Sequence, residues 1–72
     1  MPSGPRKHIL PGAAMEKLLK KAGAPRVSAS AKEKFQEVLE EYALIVGEKA
    51  IRFAQHAKRK TIKASDIREA TK

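Results

Sequence analysis

The sequence predicts an all-α chain: short helix, loop, long central helix, loop, short helix. Three observations carry that prediction. Residues 30–57 hold no proline and a single interior glycine, Gly47, and apolar side chains return through them at helical spacing. Proline and glycine punctuate the chain before that stretch, at Pro11, Gly12, Gly23 and Pro25. Only brief pieces, at Val27 and at Thr61 and Ile62, favour an extended backbone.

Residues 1–8 (MPSGPRKH) combine two prolines, a glycine and potential cations, and read as a flexible basic tail ahead of a domain over 9–72. The first helix is expected over 12–22. Pro11 suits its first turn, where the missing N–H is not needed. Ala14, Met15, Leu18, Leu19 and Ala22 form its apolar stripe, and Gly23 is suited to end it. Residues 24–28 form a connector. Ser30 with Glu33 fits a capping box for the long helix, and Ser28 is the competing cap.

The long helix, expected over 30–57, would extend roughly 42 Å at about 1.5 Å per residue. Phe35, Val38, Leu39, Tyr42, Ile45, Val46, Ala50, Phe53, Ala54 and Ala57 recur along it, and 42–46 is apolar all the way round. Its first half carries Glu33, Glu37, Glu40 and Glu41, which read as an acidic surface. Lys58-Arg59-Lys60-Thr61-Ile62-Lys63 follows as a cationic loop. A last helix over 64–71 turns Ile67 and Ala70 inward, with Asp66 in its first turn, where a carboxylate suits the helix dipole.

Seventy-two residues make one domain, and the chain has no cysteine to supply a disulfide or thiolate zinc site. His8 and His56 lie far apart without further ligands, so neither a metal nor a cofactor is expected. A core this small rarely supplies more than ~3–5 kcal/mol. Two flanking helices of ten residues or fewer leave much of the long helix uncovered. A second copy crossing at 42–46 would cover it, so an intertwined C₂ homodimer is expected. No apolar run approaches the length of a membrane span, and no apolar segment follows Arg6 and Lys7 as in a signal peptide. Neither a membrane nor a small-molecule substrate is expected, and the protein should remain in the cytoplasm.

Sixteen Lys and Arg oppose eight Asp and Glu, giving net charge +8 and a pI near 10.1. This balance points to a polyanionic partner. The acidic helix face would repel nucleic acid, which places a nucleic-acid surface elsewhere, on the loops.

Three segments are similar to the archaeal-type histones: LPxAxxxxLLKKAGAxRVS at 10–28, LEE at 39–41 and AIRFAQHAKRKTIKASDIREA at 50–70. The most specific string is RKTIKAxDI at 59–67, and the resemblance covers roughly 9–71. It implies the histone fold and a handshake dimer whose core takes Phe35, Val38, Leu39, Tyr42, Ile45, Val46, Ala50, Ile62 and Ile67. The first loop of one chain would lie beside the second loop of the other. Each loop pair would face double-stranded DNA, together with the first-helix ends.

On that resemblance the DNA contacts fall to Lys17, Lys20, Arg26, Val27, Ser28, Lys58, Lys60, Thr61 and Lys63. Cations there would neutralise phosphates and release counterions. Arg26 would enter the minor groove, which reports groove width and not base identity. Arg59 and Asp66 would pair to tie the second loop to the last helix. Phe53, His56 and Asp66 would join dimers at a four-helix junction. Gly23, Glu37 and Arg68 lie where successive superhelical turns would stack.

Against the family pattern, Lys17 replaces a common arginine, Lys58 a usual glycine, and Leu44 and Ile45 commonly charged residues. The function implied is chromosome-associated wrapping and compaction of DNA in nucleosome-like filaments, with little sequence preference and other histones as possible partners. The alternative is a histone-fold dimerisation module of a transcription-factor-like complex. The cations at Lys17, Arg26, Lys60 and Lys63 favour the first. A membrane-active basic peptide fits poorly with the acidic helix face. An enzyme is not expected, because no nucleophile–base pair, metal set or phosphate-binding glycine loop is present.

Overall fold

A computed structural model describes residues 8–72; the stretch 1–7 of the expected tail lies outside the described residues. The order is α1 (Gly12–Lys21), α2 (Ala29–His56) and α3 (Ala64–Ala70), with no strand among the described residues. Each helix ends one residue before the expected boundary, and α2 also starts one earlier. Pro11 sits at the N-cap in extended conformation, just outside α1, and not in its first turn. The chain divides into two units, one ending at Glu40 and one running from Glu41 to Lys72.

In the first unit, α1 packs on the opening turns of α2. Met15 is its one buried large apolar side chain, at 3% exposure, while Leu18 stands half out of the unit despite its place on the expected stripe. Ala22 is exposed. Polar ties complete the unit. The Gln36 side-chain amide donates to the Leu10 carbonyl at 2.7 Å, and Lys32 reaches Glu16 at 3.5 Å.

The tightest polar tie belongs to Glu40. One carboxylate oxygen accepts the N–H groups of Ile9 at 2.6 Å and Leu10 at 2.8 Å, and the other lies 3.4 Å from His8 Nδ1. Glu40 is therefore buried and not part of the acidic surface. Its bond to the Leu10 N–H, aided by Ile9 and His8, holds its acidity below the ordinary carboxylate range against the cost of burial.

In the second unit, α3 packs on the later turns of α2 through small side chains. Ala50, Ala54 and Ala70 are buried. No large side chain in the described residues is fully buried. The large apolar residues of α2 lie outward: Tyr42 is 57% exposed and Leu44 65%, with Val38 and Ile45 about half exposed. Phe35, Leu39 and Val46 are half-buried. Ile67, expected inward, is exposed on α3, as is Ile62 in the loop before it. This chain by itself has surface to bury and little core to hold it, a state that ordinarily marks an interaction face.

Candidate nucleic-acid interface

Two loops carry the cations. The first follows α1. The Gly23 N–H donates to the Lys20 carbonyl at 3.0 Å and the Ala24 N–H to the Leu19 carbonyl at 3.1 Å, the paired bonds of a Schellman turn. Gly23 adopts φ +123° there, a region that L side chains avoid. Arg26 is exposed, with no ion-pair partner among the described residues, and Val27 is half-buried. Ser28 caps α2: its Oγ accepts the Ala31 N–H at 3.1 Å, and its carbonyl accepts the Lys32 N–H. The competing cap, Ser30, lies inside the helix.

The second loop follows α2 with the same pair of bonds. The Lys58 N–H donates to the Gln55 carbonyl at 2.9 Å and the Arg59 N–H to the Ala54 carbonyl at 2.9 Å. Here the left-handed position, φ +59°, is filled by Lys58. Arg59 then turns inward. Its guanidinium meets the Asp66 carboxylate through two bonds of 3.0 Å and also donates to the Thr61 carbonyl at 2.9 Å. Asp66, 4% exposed, accepts the Lys63 N–H as well, at 2.8 Å, and so caps α3 from its third position. The guanidinium bonds, with the Lys63 N–H, lower the Asp66 pKa to about 2.

This fastening decides which cations face solvent. Arg59 is committed to Asp66 and Thr61. Lys58, Lys60 and Lys63 project outward and have no carboxylate partner among the described residues, and Thr61 is exposed beside them. On α1, Lys17 is exposed and unpaired, whereas Lys20 bonds Glu16 at 3.3 Å. Lys20 leads, with Lys32, in holding the Glu16 carboxyl below its ordinary range.

The remaining expected residues separate. Phe53 and His56 line one depression of the second unit, with Glu69 and Lys72, while Asp66 has no bond to His56 within the chain. Glu37 pairs with Lys34 at 3.0 Å, and Arg68 is exposed on α3. Among the described residues no group of acids and histidines is placed to hold a metal. No helix among them is long and apolar enough to cross a membrane.

Sequence reading missed Glu40, His8 and Gln36 as a cluster. A signal was available. Glu33, Glu37 and Glu41 share one stripe at i, i+4 spacing, but Glu40 falls on another stripe, four residues after Gln36.

An all-α chain with a long central helix and two cationic loops, each fastened to its neighbouring helices, is the arrangement of a histone-type domain. Residues 8–71 match the family described as histone-like transcription factor (CBF/NF-Y) and archaeal histone, and the chain belongs to that family. It is 56% identical over 63 residues to the archaeal histone HAN1 of Thermococcus zilligii, covering 88% of this chain and 94% of that protein. It is 51% identical over 61 residues to probable archaeal histone 3 of Methanocaldococcus jannaschii, covering 85% and 91%.

Proposed function

We propose that this chain is an architectural protein that wraps and compacts double-stranded DNA with little sequence preference, and that it performs no enzymatic reaction. The observation that carries the reading is the outward set of unpaired cations on both loops: Arg26 on the first, and Lys58, Lys60 and Lys63 on the second. Their backbones are held by the helix-end bonds and by Asp66, so the charges are presented from ordered positions. Such contacts neutralise phosphates without reading base edges. Thr61 adds a hydroxyl donor, and Arg26 enters the minor groove.

The functional unit is a handshake homodimer. The exposed Val38, Tyr42, Leu44, Ile45, Ile62 and Ile67 support it, because burying them against a second copy supplies the core that one chain lacks. Phe53, His56 and Asp66 then join dimers into tetramers and longer superhelical filaments, with Gly23, Glu37 and Arg68 at contacts between turns. Within this reading the domain is 9–72, preceded by a basic tail. The protein acts on the chromosome in the cytoplasm, where other histones are further partners.

Nuclease digestion of long DNA across a range of protein ratios tests this. Protected fragments that grow in regular steps are expected as dimers add. One small footprint that never extends would leave isolated dimers without a junction. No protection at all would overturn the DNA-wrapping function.

A further inference from the structure

The later turns of α2 and the C-terminal end of the chain border a shallow depression. Lys49, Arg52, Phe53 and His56 line it from α2, and Glu69 and Lys72 from the other side. Arg52 and His56 also border a neighbouring depression with Gln55. Lys49, Arg52 and His56 follow one another at i, i+3 and i+7, which puts them along a single helix face.

Their charge is not compensated. Glu69 is taken by Lys72 at 3.1 Å. Glu48 stands four residues before Arg52, a spacing at which pairs form, yet no ion pair joins them. Lys49 and Arg52 have no acceptor among the described residues. None of the three is among the cations assigned to the DNA path above.

We propose that Lys49, Arg52 and His56 form a binding face for a phosphate-type oxyanion, and that its occupancy sets whether a second copy docks there. The second clause rests on the dimer–dimer junction of the function proposed above. An isologous contact sets a face against its own copy, so each cation meets its equivalents and the contact is opposed by like charge. A tetrahedral oxyanion carries several acceptors. It suits the planar fork of Arg52 and the point charge of Lys49, and it neutralises both copies at once. Once the charge is met, Phe53, 42% exposed, supplies apolar area to bury. Association beyond the dimer is therefore anion-gated, by free phosphate or by the phosphates of DNA.

The test titrates the full chain with inorganic phosphate against chloride, at fixed pH and ionic strength, following side-chain and amide resonances and solution mass. Saturable movement of Lys49, Arg52 and His56 is expected, with tetramers appearing at about tenfold lower protein concentration in phosphate. The double variant Lys49→Gln/Arg52→Gln, at exposed helical positions that glutamine tolerates, should lose the saturable response. It should also associate equally in both salts.

Weak, non-saturating shifts spread over all lysines would overturn the site, as would a double variant that keeps the response. Saturable binding with no tetramer in either salt, or on DNA, would leave the anion site standing and overturn the junction and its gating. A short DNA duplex separates the sources. Movement of Arg26 and Lys60 alone assigns the site to a free anion; movement of Lys49 and Arg52 as well assigns it to DNA phosphate.

Discussion

The two loops solve the same problem with different chemistry. Each begins with the same two crossed bonds at a helix end, and each leads into a helix capped by half of a capping box. In the first loop the N-cap side chain, Ser28, reaches forward to Ala31. In the second the third residue, Asp66, reaches back to Lys63. The left-handed position is a glycine in one and Lys58 in the other. The buried carboxylates differ as well: Glu40 is held largely by neutral backbone N–H groups, Asp66 by a guanidinium. The second unit thus places charge where the first places neutral donors and glycine. It gains surface cations and a fixed loop at the cost of backbone strain and dependence on one ionised pair.

The largest expected effect breaks that pair. In Asp66→Asn the amide nitrogen would oppose the Arg59 guanidinium, and the helix cap would weaken with it. In Glu40→Gln the remaining carbonyl oxygen can still accept both the Ile9 and Leu10 N–H groups. Thermal unfolding followed by circular dichroism should show a much larger drop in melting temperature for Asp66→Asn. Equal drops would mean that the two carboxylates anchor their units alike.

Acid separates them further. Asp66 titrates near 2 in the folded chain against an ordinary 3.8, so its contribution is fully present above about pH 4 and is lost as pH falls towards about 2. Glu40 and Glu16 are also lowered and act in the same direction. Stability measured from pH 5 to pH 2 should fall less steeply in Asp66→Asn than in the parent protein. Parallel curves would remove Asp66 as the main acid-sensitive group.

Next in size is the apolar side of the comparison. Met15 is the one large buried apolar side chain of the first unit, whereas the second packs on alanines. Met15→Ala should cost about 2–5 kcal/mol in denaturant unfolding. A loss under about 1 kcal/mol would place the core of the first unit in contacts that a single chain does not show.

The difference between the units also explains what could be read from the sequence. The helices were legible to within one residue, because periodicity and punctuation act locally: Gly23 ends α1 and the proline-free stretch runs through α2. The outward faces of Tyr42, Leu44 and Ile45 were legible as surplus, since 42–46 is apolar all round. The burial of Glu40 was not legible, because its donors lie some thirty residues earlier in sequence and belong to the backbone, which composition does not reveal. Ser28 against Ser30 was undecided for a related reason: both spacings permit a cap, and only the position of the first turn selects Ser28. Lys20 looked like any other surface cation until Glu16 was placed beside it.

The smallest expected effects exchange the two left-handed positions. Gly23 has φ +123°, and a Cβ built there would meet nothing within 4 Å, so Gly23→Ala tests backbone strain alone, of order 1–3 kcal/mol destabilising. Lys58 sits at φ +59°, where glycine is at ease, so Lys58→Gly should stabilise the protein by about 1 kcal/mol. The same change removes a cation from the second loop. Under the proposed function, DNA affinity should then fall for all sequences alike, and the salt slope should flatten by about one unit for each Lys58 in contact. Stability rising while DNA affinity falls would show that the strained lysine is kept for its charge. If affinity and slope stayed unchanged, Lys58 would lie off the DNA path, and the second loop would present only Lys60 and Lys63 to the phosphates.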